Sequence, residues 1–122
     1  EQLTAGDLRP ALHVEAELPL GDVTRETVEE IQRLGPFGSG NPEPLFLARD
    51  LDVLESRVVG DRHLKLRVAR GGRELDAIGF DHGHLHPLGG TRVSAVYHPR
   101  INRWRGIESL QLNIQALEPV EA

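Results

Sequence analysis

The sequence predicts a mainly β fold, a five-stranded barrel preceded by a short strand and one helix. Three observations carry that expectation. Past residue 45 helical spacing disappears, and apolar residues alternate with polar ones. Glycine-bearing turn signals separate the alternating runs at hairpin distances. The chain has 122 residues and no cysteine, a length at which one domain buries a sizeable core without disulfide or thiolate-metal staples.

The elements follow in chain order. In residues 12–18, Leu12, Val14, Ala16 and Leu18 alternate with His13, Glu15 and Glu17, which is the period of a half-buried strand with an acidic outer face. Thr24 is placed to cap a helix running to Gly35, with Val23 and Val28 as a hydrophobic staple and Glu26 near the positive N-terminus. Val28, Ile31 and Leu34 share its apolar side, and Leu34-Gly35-Pro36 reads as its stop. Pro36 to Pro44 then sets Gly38, Gly40, Pro42 and two further prolines around Phe37 and Asn41. Glycine opens backbone angles that proline closes, so the alternation specifies an ordered loop. Phe37 either stacks on a base or anchors the loop in the core, and the anchor is the expected role. The N–H groups of Gly38 and Gly40 are free either for a phosphate oxygen or for a neighbouring domain's carbonyls.

Five strands are expected at about 46–58, 62–70, 74–81, 91–98 and 106–118. Arg70-Gly71-Gly72-Arg73 supplies two residues for a type I′ hairpin, and Gly60-Asp61 does similar work one hairpin earlier. Phe46 and Phe80 open and close strands as core residues, and the broken alternation after Asp76 suggests a bulge near Ala77-Ile78. A three-strand meander, a longer third connection and two more strands suit an OB-type barrel, whose ligands lie across strands 2 and 3 and against the first and fourth hairpin loops. Residues 1–45 form the lead-in and 46–122 the OB-fold barrel, within one compact domain.

The net charge of −5 is unevenly distributed. Residues 1–56 hold twelve acids against four arginines, whereas residues 57–105 hold ten Arg or Lys against four acids. One half is therefore fit to meet a polyanion and the other solvent or a neighbouring domain. No stretch has the length and apolarity of a membrane span or signal peptide, and a cytoplasmic location is expected.

On the second barrel strand, burying Leu64, Leu66 and Val68 turns His63, Lys65 and Arg67 outward. Arg57 and Arg62 flank the adjoining turn, so a basic track crosses the surface that OB barrels use for ligands. The connection read between strands 4 and 5 gathers Tyr97, Arg100, Arg103, Trp104 and Arg105, including the chain's only tryptophan and only tyrosine. Trp104 either stacks on a base or covers the barrel end, and Tyr97 packs at the barrel mouth. His82, His84 and His86 would project together from an extended backbone, but their glycine-rich and proline-bearing surroundings read as a solvated connection, so no metal site is assigned.

The run Leu34, Pro36, Phe37, Gly38, Gly40, Asn41, Pro42, Glu43, Pro44 and Phe46 resembles the segment entering the OB-fold domain of RecJ, a family of bacterial exonucleases that degrade single-stranded DNA from 5′ to 3′. Val59-Gly60, His63 to Leu66, Leu75 to Ile78 with Phe80, and Asn102 to Trp104 follow in the same order, so the resemblance covers about residues 12–118. It implies a module of DNA recombination and repair that binds single-stranded DNA beside the catalytic domains of a longer chain, with other repair proteins as further partners. The family's Asp-His-His catalytic signature is absent, and Asp81-His82-Gly83-His84 does not reproduce it. No catalytic residue and no cofactor is carried over; Mn2+ or Mg2+ is implied for the parent nuclease only, and the resemblance leaves open whether this chain is itself an enzyme. A chain that starts at Glu1 without any methionine is expected to be an excised piece. The competing function is a docking module that holds other domains or proteins without touching DNA.

Overall fold

The computed structural model describes residues 13–120, so Leu12 lies outside the described part. Strand β1 (Val14–Glu17) leads through a 3-10 turn at Leu20–Asp22 into helix α1 (Arg25–Gln32). Five strands follow: β2 (Leu45–Val59), β3 (His63–Arg70), β4 (Arg73–Gly79), β5 (Arg92–Trp104) and β6 (Ile107–Pro119). Their order is β1-β2-β3-β4-β6-β5, and β5 pairs back onto β2, which closes β2 to β6 into a five-stranded barrel with β1 as an added parallel strand. The parallel β4–β6 ladder beside four antiparallel neighbours is the expected OB arrangement.

Closing so small a barrel needs strands that bend. Fifteen-residue β2 does so at two irregularities, one between Ala48 and Leu51 and one between Val53 and Glu55. At the first, Asp50 takes φ 58, its N–H meets Ser94 Oγ at 3.3 Å, and Arg70 reaches its carbonyl at 3.0 Å. Such bulges add bend and twist, and β2 thereby serves β1, β5 and β3 in succession. The bulge expected in β4 does not occur; its ladder with β3 runs unbroken from Leu64–Gly79 to Arg70–Arg73.

The core fills the barrel with Leu51, Val53, Leu64, Leu66, Val68, Leu75, Ala77, Val93, Ala95, Leu112 and Ile114. Leu20, Val23 and Val28 join it from the lead-in and plug one end. Arg73 on the β3–β4 hairpin fastens that plug, donating to the Val23 carbonyl at 2.7 Å. Thr24 caps α1 as expected, its hydroxyl accepting from the Thr27 N–H at 3.2 Å, and both staple valines are buried. The helix ends at Gln32, short of Gly35, which leaves Leu34 61% exposed rather than on the apolar side. β1 is likewise less buried than its alternation predicts, because it sits on the sheet's edge with Ala16 exposed.

Tyr97 is wholly buried, and its hydroxyl donates to the Leu18 carbonyl at 2.6 Å, tying the lead-in to the barrel. Burial, reinforced by the negative charge of Asp22, raises the phenol above its ordinary value near 10. The folded state then keeps its proton where the unfolded chain loses one, so this contribution is complete below pH 10 and declines as pH rises. Unfolding free energy should fall by up to about 1.4 kcal/mol per pH unit above pH 10. Urea melts between pH 9 and 11.5 should show a steeper fall for the wild type than for Tyr97→Phe; equal slopes would refute the assignment.

Candidate nucleic-acid interface

The outer face of β2–β3 is built by alternation. Leu64, Leu66 and Val68 point into the core, which leaves His63, Lys65 and Arg67 outside. The register sets Arg57 opposite Lys65, Glu55 opposite Arg67 and Val59 opposite His63. Among the described residues the side chains of Arg57 and Lys65 have neither an ion pair nor a hydrogen bond. Two unneutralised cations thus face one another across a ladder, an arrangement that costs stability unless an anion joins them.

The rest of the track is not uniformly basic. Arg67 is held by Glu74 at 3.2 Å and Asp76 at 3.0 Å, and these bonds raise its already high pKa. With Glu55 alongside, the end of the face toward the β3–β4 hairpin carries more acid than base. The positive end lies at the β2–β3 turn, where Gly60 and Asp61 take φ 59 and 66. There Arg62 pairs with Asp81 at 3.1 Å, and His63 Nδ1 accepts from the Asp81 N–H at 3.0 Å. The Gly83 N–H donates to the Arg62 carbonyl at 2.8 Å, and a Cβ on Gly83 would lie 2.8 Å from that backbone, so only glycine admits this approach. Phe80, expected in the core, is 51% exposed and meets His63 edge-on at 5.3 Å.

The predicted connection of residues 97–106 is mostly strand. β5 and β6 continue as a two-stranded ribbon to the pair Trp104–Ile107, joined by Arg105-Gly106 alone. Pro99 fits because β5 has by then left β2, so no carbonyl on that edge waits for its missing N–H. Alternation from buried Leu112 and Ile114 puts Gln111, Ser109 and Ile107 on the outer side of the sheet, with their partners Arg100, Asn102 and Trp104. Through the pairs Arg67–Asp76 and Asp76–Gln111 this side is continuous with the face that bears Lys65. Trp104 and Ile107 are 65% and 67% exposed, and the ribbon tip covers no part of the core.

Two of the predicted ribbon contacts are engaged in the fold. Arg100 makes a two-pronged bond with Glu43, and Arg103 binds Glu108 at 2.6 Å. Glu108 also meets Arg25 of α1 at 3.1 Å, which props the ribbon against the helix. Tyr97, buried with its hydroxyl bonded, is closed to nucleic acid.

The loop of Pro36 to Pro44 is held locally. Asn41 Nδ2 donates to the carbonyls of Leu34 and Pro36 at 2.9 and 3.0 Å. Gly38 and Asn41 exchange backbone bonds of 2.9 and 3.0 Å, so the Gly38 N–H is engaged and unavailable to a phosphate. Neither Gly38 nor Gly40 takes a positive φ. Phe37 is half-buried outside the core cluster, its ring beside Gly35, and Pro42 is exposed. Glu43 instead anchors the loop to the barrel through Arg100, a role that residues 57 positions apart do not advertise in sequence.

The three histidines do not converge. The 3-10 turn Gly83–Leu85 breaks the extended geometry; His82 turns to the carbonyls of Phe80 and Gln115, and His86 Nδ1 lies 2.7 Å from Ser56 Oγ. No group of three or more His, Asp or Glu among the described residues is arranged to hold a metal ion. Nor is any described helix long and apolar enough to cross a membrane.

A family model described as the RecJ OB domain matches residues 14–116. The single-stranded-DNA-specific exonuclease RecJ of Dickeya dadantii is 37% identical over 124 residues, covering 98% of this chain and 21% of that protein. The Bacillus subtilis protein of the same name is 32% identical over 117 residues, covering 93% of this chain and 15% of its own length. The crystal structure of Thermus thermophilus RecJ in complex with Mn2+ superposes with a TM-score of 0.71 at 28% identity, covering 91% of this chain and 16% of that one. The chain thus spans about a fifth or less of these RecJ proteins.

Proposed function

This chain belongs to the RecJ OB-domain family, and from that premise we propose that it is the module that binds single-stranded DNA in a 5′ to 3′ exonuclease. The observation that carries the reading is the unneutralised pair Arg57–Lys65 on the outer face of β2–β3. A phosphate seated between the two side chains removes their mutual repulsion and releases condensed counterions. Bases downstream of that phosphate meet Trp104 at the ribbon tip, where stacking is worth about 1–3 kcal/mol per base and tolerates any sequence. Stacking on a tip residue requires an unpaired base, so the same surface favours single strands over duplex. Hydrolysis, with its Mn2+ or Mg2+, belongs to the rest of a longer cytoplasmic protein, whose catalytic domains receive the guided strand and whose setting is DNA recombination and repair.

The test is a titration of labelled oligo-dT at several salt concentrations, read by Trp104 fluorescence and backbone amide shifts, with duplex as comparison. Binding in the range of about 10⁻⁴ to 10⁻⁶ M is expected, with a log-log salt slope near about −0.7 from the phosphate seated between Arg57 and Lys65. Shifts should concentrate at Arg57, His63, Lys65 and Trp104. Shifts confined to residues 14–45, or a flat salt response, would favour the docking role instead.

A further inference from the structure

Resting on the reading of Trp104 as a base platform, we propose that Arg105 is the residue that positions it, holding one face of the indole closed so that the other is presented to a single base. The turn joining β5 to β6 has positive φ at both central residues, 52 at Arg105 and 77 at Gly106. That is type I′ geometry, whose first position favours asparagine, aspartate or glycine; arginine there is strained by its Cβ. No ion pair offsets the strain, because Arg105 has none among the described residues. Its guanidinium carbon lies 4.6 Å from the indole centroid of Trp104. An exposed cation–π contact is weak and offsets only part of the cost of the strained backbone. It does fix the ring.

A tryptophan 65% exposed at the end of a two-stranded ribbon would otherwise sample several rotamers, and a base binding it would have to order it first. With the guanidinium seated on one face, the ring is ordered before the strand arrives. Trp104 keeps 65% of its surface exposed, with the equally exposed Ile107 as its cross-strand partner.

The consequence is opposite signs for stability and binding in one variant. Arg105→Asn, which installs the preferred turn residue, should raise Tm by about 2–5 °C. It should also lower the steady-state anisotropy of the ligand-free protein's single tryptophan and weaken oligo-dT binding about fivefold. Trp104→Ala should weaken binding at least as much. Arg105→Lys keeps the charge but not the planar stack and should restore less than half of the lost affinity. Unchanged anisotropy and affinity in Arg105→Asn, with Trp104→Ala impaired, would overturn the positioning role and leave the platform standing. Full recovery by lysine at low anisotropy would reduce Arg105 to a bare charge, and a lowered Tm in Arg105→Asn would remove the strain; either overturns the proposal. Unimpaired binding by Trp104→Ala would dispose of the platform itself.

Discussion

Reversing both charges in Arg57→Glu/Lys65→Glu is expected to lower affinity for oligo-dT by at least about thirtyfold at low salt, or ~2 kcal/mol. The two residues face each other on one ladder and carry no acidic partner among the described residues, so their charges are available to a phosphate. Removing both side chains should also flatten the salt slope by about 0.7, the contribution of the one phosphate they share. Both side chains project away from the core, so thermal unfolding should stay close to wild type. The informative control is Arg33→Glu, an arginine just past the end of α1 with no ion pair among the described residues. If it weakens binding as much, the strand responds to the general field of the protein and not to this face. Arg67 would be a poor probe, because reversing it sets a third acid against Glu74 and Asp76.

Tyr97→Ala should cost about 3–5 kcal/mol of stability, the usual price of emptying a buried aromatic site. No exposed substitution in the barrel should approach that loss. The ring is fully enclosed on β5, directly opposite Phe46 in the ladder that closes the barrel, and its hydroxyl is the bond to Leu18. Domains of this size have about 5–15 kcal/mol in hand, so Tm should drop by roughly 10–20 °C. Tyr97→Phe isolates the hydroxyl and should cost about 1–3 kcal/mol, because the Leu18 carbonyl loses its donor. Thermal melts followed by circular dichroism decide the matter, and a loss below about 1.5 kcal/mol for the alanine variant would show that the barrel closes without this residue.

Much of the barrel was legible because period-2 alternation and glycine pairs act locally. β3 and β4 lie within two residues of their expected bounds, and Gly71 and Gly72 take the positive φ values the turn requires, 61 and 82. That turn also fixes the register, so Arg67 facing Asp76 follows from the sequence and takes Arg67 out of the unneutralised basic track. The β5–β6 ribbon was not readable. Pro99 and the polar run to Arg105 carry loop composition, yet proline is tolerated on a strand whose neighbour has ended, and an arginine stands where asparagine would have announced the turn. Phe80 and Leu34 were misjudged for a related reason, since hydrophobicity indicates burial only while the element that carries it continues. The engagement of Arg100 by Glu43 joins distant parts of the chain, and only the closed barrel brings them together.

Closure on β2 also bears on the order of events as the chain folds. The β2–β3–β4 meander forms between neighbours in sequence, so little loop entropy opposes it. The ladder of Phe46 to Asp52 with Tyr97 to Arg92 joins residues separated by about 40 to 51 positions. Such non-local pairing is slow and must wait for the bent β2 to offer its second edge. Until it does, β2 is an exposed edge that any other extended chain can pair with. The bulge at Asp50 therefore guards the nascent domain as well as shaping the finished one, because a kinked edge is a poor template for a foreign strand.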